Sequence, residues 1–121
     1  MFNNLSGTLP FEVGLLTSVT KLYLSYNSIT AISSNIGSMT SLVNIFLTNN
    51  SIQGKIPTTL SSLTNLERLN LNGNFFTGSI PTELGTMTKL VHLFLFDNPL
   101  TGTIPESSMS SLLLLGKLEF H

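Results

Sequence analysis

Five asparagines stand at an almost constant interval along this chain: Asn3, Asn27, Asn50, Asn74 and Asn98, separated by 24, 23, 24 and 24 residues. A similar apolar frame precedes the last four. Leu22-Tyr23-Leu24 comes before Asn27, Ile45-Phe46-Leu47 before Asn50, Leu69-Asn70-Leu71 before Asn74 and Leu93-Phe94-Leu95 before Asn98. A period of this size marks a solenoid, in which each repeat is one unit whose apolar face is buried only by its neighbours. That constraint outranks local propensity. It also bears on function, because stacked coils present an extended concave surface.

Inside one repeat the hydrophobic period changes from two to three. In Lys21-Leu22-Tyr23-Leu24-Ser25 the leucines alternate with residues of the opposite face, which predicts a short strand with Leu22 and Leu24 inside. One such strand per coil predicts a parallel sheet. At the turn that follows, a buried amide can bond backbone groups that the bend leaves unpaired, in its own coil and in the next. This reading assigns Asn3, Asn27, Asn50, Asn74 and Asn98 to a structural ladder.

The return side carries its own signature. Gly7-Thr8-Leu9-Pro10, Gly54-Lys55-Ile56-Pro57, Gly78-Ser79-Ile80-Pro81 and Gly102-Thr103-Ile104-Pro105 share one step. Glycine there permits a sharp bend or a close approach of coils, and proline suits an irregular or edge position. Apolar residues then recur at every third place: Val13, Leu16, Val19; Ile36, Met39, Leu42; Leu60, Leu63, Leu66; Leu84, Met87, Leu90; Met109, Leu112, Leu115, Leu118. Spacing of three predicts a 3₁₀-like segment with one buried edge. Two coils depart from the pattern. The second, Asn27 to Ser33, lacks the Gly-x-Ile-Pro step and is one residue short, and the last is one residue long between Pro105 and Met109. Local irregularity on the outer side is expected at both.

Composition narrows the function classes. Charged residues make up 9% of the 121, against about 25% in an average soluble domain. The net charge is −1, so no strong field draws the chain to nucleic acid or to an anionic membrane. The surface role falls to 16 Ser, 15 Thr and 12 Asn, which bind through short, adaptable hydrogen bonds. No cysteine is present, which excludes disulfides and thiolate-ligated metals. No run reaches 18 apolar residues, so no membrane-spanning helix is expected, and Met1-Phe2-Asn3-Asn4 does not read as a secretory signal.

The repeat written out, L-x-x-L-x-L-x-x-N-x-L-x-G-x-I-P-x-x-L-G-x-L-x-x-L, resembles the leucine-rich repeat of the plant-specific type, from Asn3 to Phe120. The resemblance implies an α/β-type repeat solenoid: a right-handed superhelix with a concave parallel sheet and an irregular or 3₁₀ convex side. It implies one domain over residues 1–121, of about five coils of 23–25 residues. Repeats of this type occur in ectodomains of receptor-like kinases and receptor-like proteins and in polygalacturonase-inhibiting proteins. Many such proteins have cysteine-paired caps; this chain opens after the place of a first strand and ends in one, Leu118-Glu119-Phe120-His121. The expectation is a piece of a larger extracellular or cell-surface protein, or ends that stack on another copy through exposed strand edges.

Aligned strands would stack their outward side chains in columns. One column reads Lys21, Asn44, Arg68, His92, Lys117; the next Tyr23, Phe46, Asn70, Phe94, Glu119; the third Ser25, Thr48, Asn72, Phe96, His121; a fourth, at the strand exit, Tyr26, Asn49, Gly73, Asp97. Aromatics beside a cationic row suit an acidic peptide or an anionic sugar. The candidate concave ligand surface is therefore Lys21, Tyr23, Tyr26, Asn44, Phe46, Arg68, Asn70, His92, Phe94 and Phe96. Two Asn-x-Ser sequons, Asn4-Leu5-Ser6 and Asn49-Asn50-Ser51, are candidate N-glycan sites. Asn49 is expected at the rim of the concave face, where a glycan would partly block it.

Catalytic constellations do not assemble. The histidines are His92 and His121, Asp97 is the sole aspartate, and the five glutamates fall on different phases of the repeat. A metal at His92, Asp97 and His121 is disfavoured, and no cofactor is expected. The chain reads as a non-catalytic recognition module in a signalling ectodomain, with a protein, peptide or glycan ligand and a co-receptor as expected partners. The alternatives are an inhibitor clamping an extracellular hydrolase and a self-stacking scaffold without a soluble ligand.

Overall fold

The computed structural model describes residues 3–105 together with the strand Leu118–Glu119. Nine short strands follow the chain: β1 (Ser6–Leu9), β2 (Lys21–Tyr23), β3 (Ser28–Ile32), β4 (Asn44–Phe46), β5 (Gln53–Lys55), β6 (Arg68–Asn70), β7 (Phe75–Thr77), β8 (His92–Phe94) and β9 (Leu118–Glu119). The main sheet takes one strand from each coil in the order β2-β4-β6-β8-β9, every pair parallel. Its ladder runs on past the strands, with Leu24 N donating to Phe46 O, Leu47 N to Asn70 O and Leu71 N to Phe94 O, each at 2.9 Å.

The core follows the two periods. The strands and the residues just past them contribute Ile45, Leu47, Leu69, Leu71, Leu93 and Leu95, and the return side contributes Ile36, Met39, Leu42, Leu60, Leu63, Leu66, Leu84, Met87 and Leu90, all buried. Each such side chain is worth about 1.5–3 kcal/mol when fully withdrawn from water. In the first coil, Leu5 and Leu16 stay 52% and 50% exposed although their counterparts Ile29 and Met39 are buried. Among the described residues they are packed from one side only, whereas Ile29 and Met39 lie between two coils.

Behind the sheet, Phe11–Leu15, Ser34–Ser38, Thr58–Ser62 and Thr82–Thr86 form 3₁₀ helices, and no α-helix occurs among the described residues. Three are entered from Pro10, Pro57 and Pro81 in an extended conformation, where proline's fixed φ costs nothing. In the fourth, Ser33 replaces proline and its Oγ accepts from Asn35 N at 3.2 Å. The two roles foreseen for glycine fall to different residues. Gly54 has φ +89 with open space where a side chain would be, so the Gly-x-Ile-Pro glycine serves the bend. Gly37 serves close approach: a Cβ there would lie 2.5 Å from Thr59 O of the next coil.

Two further two-stranded sheets, β1 with β3 and β5 with β7, line one flank. The return side is thus more ordered there than an irregular loop. The β1–β3 pair slips register between Gly7 and Thr8, and the two flank sheets do not join. The break falls at the second coil, which is one residue short and lacks the bend glycine. The extra residue after Pro105 and the row Met109, Leu112, Leu115 lie outside the described residues. Among the described residues, no helix is long and apolar enough to cross a membrane.

The ladder amides Asn50, Asn74 and Asn98 work alike, whereas Asn27 accepts from Leu5 N of the preceding coil but donates only within its own coil, to Leu24 O and Ser25 O. Asn74 Nδ2 donates to Leu71 O of its own coil at 3.0 Å and to Leu47 O of the preceding coil at 2.8 Å, while Oδ1 accepts from Ile52 N at 3.1 Å. The partner coil is the preceding one, where the following coil was the expectation. The cause is that the amide points back to the turn already laid down. Asn3, assigned to the ladder, is exposed, and its side chain makes no such bond among the described residues.

Candidate functional site: the concave face

Strand register places the predicted columns side by side. Lys21, Asn44, Arg68 and His92 are paired in one row across β2, β4, β6 and β8. Tyr23, Phe46, Asn70 and Phe94 form the next row, extended by Glu119 of β9. Neighbouring members are about 4.8 Å apart, the spacing of hydrogen-bonded strands. Lys117 and His121, the last members of two columns, lie outside the described residues.

The first row is mildly basic at its exposed positions. Lys21 and Arg68 face solvent, and Arg68 Nε donates to His92 Nδ1 at 3.4 Å. Neither cation is paired with a carboxylate among the described residues. Asn44 departs from its assignment as an exposed contact: it is 5% exposed, and its Oδ1 is buried without a partner. Asn44 is paired in register between Lys21 and Arg68 of the flanking strands, whose longer side chains are exposed.

Aromatic rings occupy the second row and continue into the third. Tyr23 and Phe46 meet edge to face at 5.0 Å between centroids. His92 stacks on Phe94 at 6.0 Å, and Phe94 meets Phe96 edge to face at 6.4 Å. Between these clusters lie Asn70, half-buried, and Asn72, whose Oδ1 accepts from Thr48 Oγ1 at 3.1 Å. Phe46, Asn70, Asn72, Phe94 and Phe96, with Ser25, Tyr26 and Thr48, line an open groove of about 400 Å³. The face therefore offers rings for apolar groups, amides and hydroxyls for hydrogen bonds, and a cationic row along one edge.

At the strand exit, Tyr26, Asn49 and Asp97 adopt φ of 59°, 52° and 55°, and Gly73 has φ 68°. At all four described positions just before a ladder Asn the residue is left-handed, so this column is set by the turn. The conformation also redirects the side chains. Asn49 is exposed but does not line the concave groove; it lines a separate flank groove with Asn3, Tyr26, Asn27 and Ser28. The left-handed turn thus places this sequon beside the face and off its floor, in a groove that shares Tyr26 with the concave one. Asn4 of the other sequon is exposed ahead of β1.

Among the described residues, no group of three or more His, Cys, Asp or Glu could hold a metal ion. His121 lies outside them.

The leucine-rich repeat family model matches residues 17–76 and 40–100, the same span that carries the ladder, the core rows and the concave columns. The chain belongs to the leucine-rich repeat family. Its repeats are of the plant type, and it is similar to solved plant proteins. The ectodomain of the membrane receptor kinase GASSHO1/SCHENGEN3 from Arabidopsis thaliana, in complex with CASPARIAN STRIP INTEGRITY FACTOR 2, superposes with TM-score 0.86 at 39% identity, over 91% of this chain and 13% of that one. The Arabidopsis receptor kinase HAESA, in complex with the peptide hormone IDA and a co-receptor, gives TM-score 0.85 at 38% identity, over 91% of this chain and 19% of that one. A plant ice-binding protein gives TM-score 0.80 at 33% identity, over 84% of this chain and 34% of that one. This leucine-rich repeat chain therefore spans 13% and 19% of the two receptor kinase chains and 34% of the ice-binding protein, and the same fold serves unlike functions. No curated protein matches the chain.

Proposed function

We propose that this leucine-rich repeat chain is a recognition segment of a receptor-type ectodomain, and that its concave face captures an extended peptide. The observation that carries the reading is the groove lined by Phe46, Asn70, Asn72, Phe94 and Phe96 on a rigid parallel sheet. Rings held by neighbouring strands lose little freedom on binding, so they act as anchors. The half-buried amide of Asn70 and the hydroxyl of Thr48 offer hydrogen-bonding groups to a peptide backbone. Lys21 and Arg68 favour acidic side chains at the strand-entry edge. The similarity to the receptor kinase HAESA, solved with the peptide hormone IDA, supports the reading.

The test is selection of peptides from a random library on the immobilised chain, followed by titration of the enriched sequences. Enrichment of acidic, aromatic-containing peptides that lose binding when Phe46 and Phe94 become Ser supports the site. Enrichment unaffected by those changes overturns it.

A further inference from the structure

Asn49 begins a sequon, Asn49-Asn50-Ser51, and stands exposed at the strand exit in a left-handed conformation, φ 52°. Its Oδ1 lies against Gly73 of the following coil, so close that a Cβ on Gly73 would collide with it. On the other side of Asn49 lies the preceding coil. There the neighbour in the same column is Tyr26, joined by Tyr26 N donating to Thr48 O at 2.8 Å. Tyr26 is 43% exposed, and with Asn49 it lines the flank groove of about 530 Å³. A tyrosine is an awkward occupant of a left-handed turn, where glycine, asparagine and aspartate fit better. Asn50 is already committed to the ladder, and Asn50-Ser51-Ile52 is no sequon, so the reactive amide in this segment is that of Asn49 alone.

We propose that Asn49 carries an N-linked glycan whose first sugar packs on the ring of Tyr26 in the flank groove. This inference rests on the reading of the chain as part of an exported ectodomain. Asn49 Nδ2 attacks the anomeric carbon of an oligosaccharide carried on a polyprenyl diphosphate. The new bond is N–C, the bond that breaks joins that carbon to the diphosphate oxygen, and one amide proton is released. The apolar face of the first N-acetylhexosamine covers the exposed ring, while its hydroxyls stay in water. Because Asn49 is off the floor of the concave groove, the glycan shields the strand-exit flank of the second and third coils. The stretch around Phe94 and Phe96 stays open to ligand.

The experiment directs the full chain into the secretory pathway of plant cells and recovers it from the medium. The protein is treated with an amidase that removes N-glycans and converts the attachment Asn to Asp, then digested with trypsin. Conversion at residue 49 in the peptide spanning residues 22–55, with the larger apparent mass lost in both Asn49→Gln and Ser51→Ala, is expected. Glycan removal should also lower the melting temperature of the parent and leave that of Tyr26→Gly unchanged, a variant that suits the left-handed turn and creates no new sequon. An unmodified residue 49 in protein recovered from the medium, with Asn4 modified or not, overturns the site. Equal sensitivity of parent and Tyr26→Gly to glycan removal overturns the packing on Tyr26. None of these readouts involves a ligand, so a glycosylated chain that captures no peptide would sink the recognition reading alone.

Discussion

Asn50 reaches back across a coil boundary to donate through Nδ2 to the carbonyl oxygen of Leu24 at 2.9 Å. Its Oδ1 accepts from Ile29 N at 3.1 Å, so one side chain closes the edge of two turns. The main-sheet ladder cannot supply these bonds, because the chain leaves the sheet there. The 4% and 7% exposure of Asn74 and Asn50 means that water cannot supply them either.

Asn74→Ala is therefore expected to destabilise the chain by on the order of 2–3 kcal/mol, since it strands buried donors and acceptors in two coils. Asn3→Ala, at an exposed position outside this bonding pattern, is expected within about 0.5 kcal/mol of the parent. Urea denaturation of the two variants checks this. Similar midpoints for both would show that the ladder bonds contribute little beyond what solvent replaces.

A second expectation concerns Gly73 and Asn49, which share one space. Gly73→Ala adds a Cβ at φ 68° that runs into Asn49 Oδ1. Strain in the left-handed region costs about 1–2 kcal/mol, and the collision adds to it. Asn49→Ala in the same chain removes the colliding oxygen. The double variant should recover part of the loss, giving a coupling energy on the order of 1 kcal/mol in a double-mutant cycle. Strict additivity would mean that the Asn49 side chain moves aside freely.

On the concave face, replacing Tyr23, Phe46 and Phe94 together by Ser should abolish peptide capture. The far-ultraviolet circular dichroism should remain that of the parent, because the residues facing inward from those strands, such as Leu22, Ile45 and Leu93, are untouched. Capture at parental affinity by the triple variant would remove this face as the site.

The cationic row gives a further prediction. Lys21→Gln with Arg68→Gln should weaken capture of acidic peptides and flatten its dependence on salt, since both cations are exposed and screened within a Debye length of about 8–10 Å. Neutral peptides should bind the variant and the parent alike. A salt dependence unaltered by the two changes would place the charged contacts elsewhere.

Much of this architecture was legible before any coordinates. The alternation in Leu22-Tyr23-Leu24 and its equivalents identified which side of each strand is inward, because a strand's period of two leaves no other choice. The spacing of three in Ile36, Met39 and Leu42 identified the 3₁₀ edge for the same reason. Strand register then follows from the repeat, so the row Tyr23, Phe46, Asn70, Phe94 could be written down in order. Less legible were features set by neighbours in space. Asn44 holds the same place in its strand as Lys21 and Arg68, and nothing in its own coil reports that it is buried while they are exposed. Asn49 carries the same sequon whether it faces the groove or the flank, and only the left-handed turn decides which. The flank strands carry no such signal, because runs such as Gln53-Gly54-Lys55 lack the alternation of a half-buried strand.

By itself, the sequence determined the coil, its core rows and the order of residues along the concave face. These follow from periodicity, which acts through each residue's own backbone geometry and its equivalents one repeat away. The tertiary structure alone decided which polar side chains remain exposed, which coil the ladder amides grip and where the flank sheets break. Those outcomes depend on the length and packing of side chains from adjacent coils, and a period along the chain carries no measure of either.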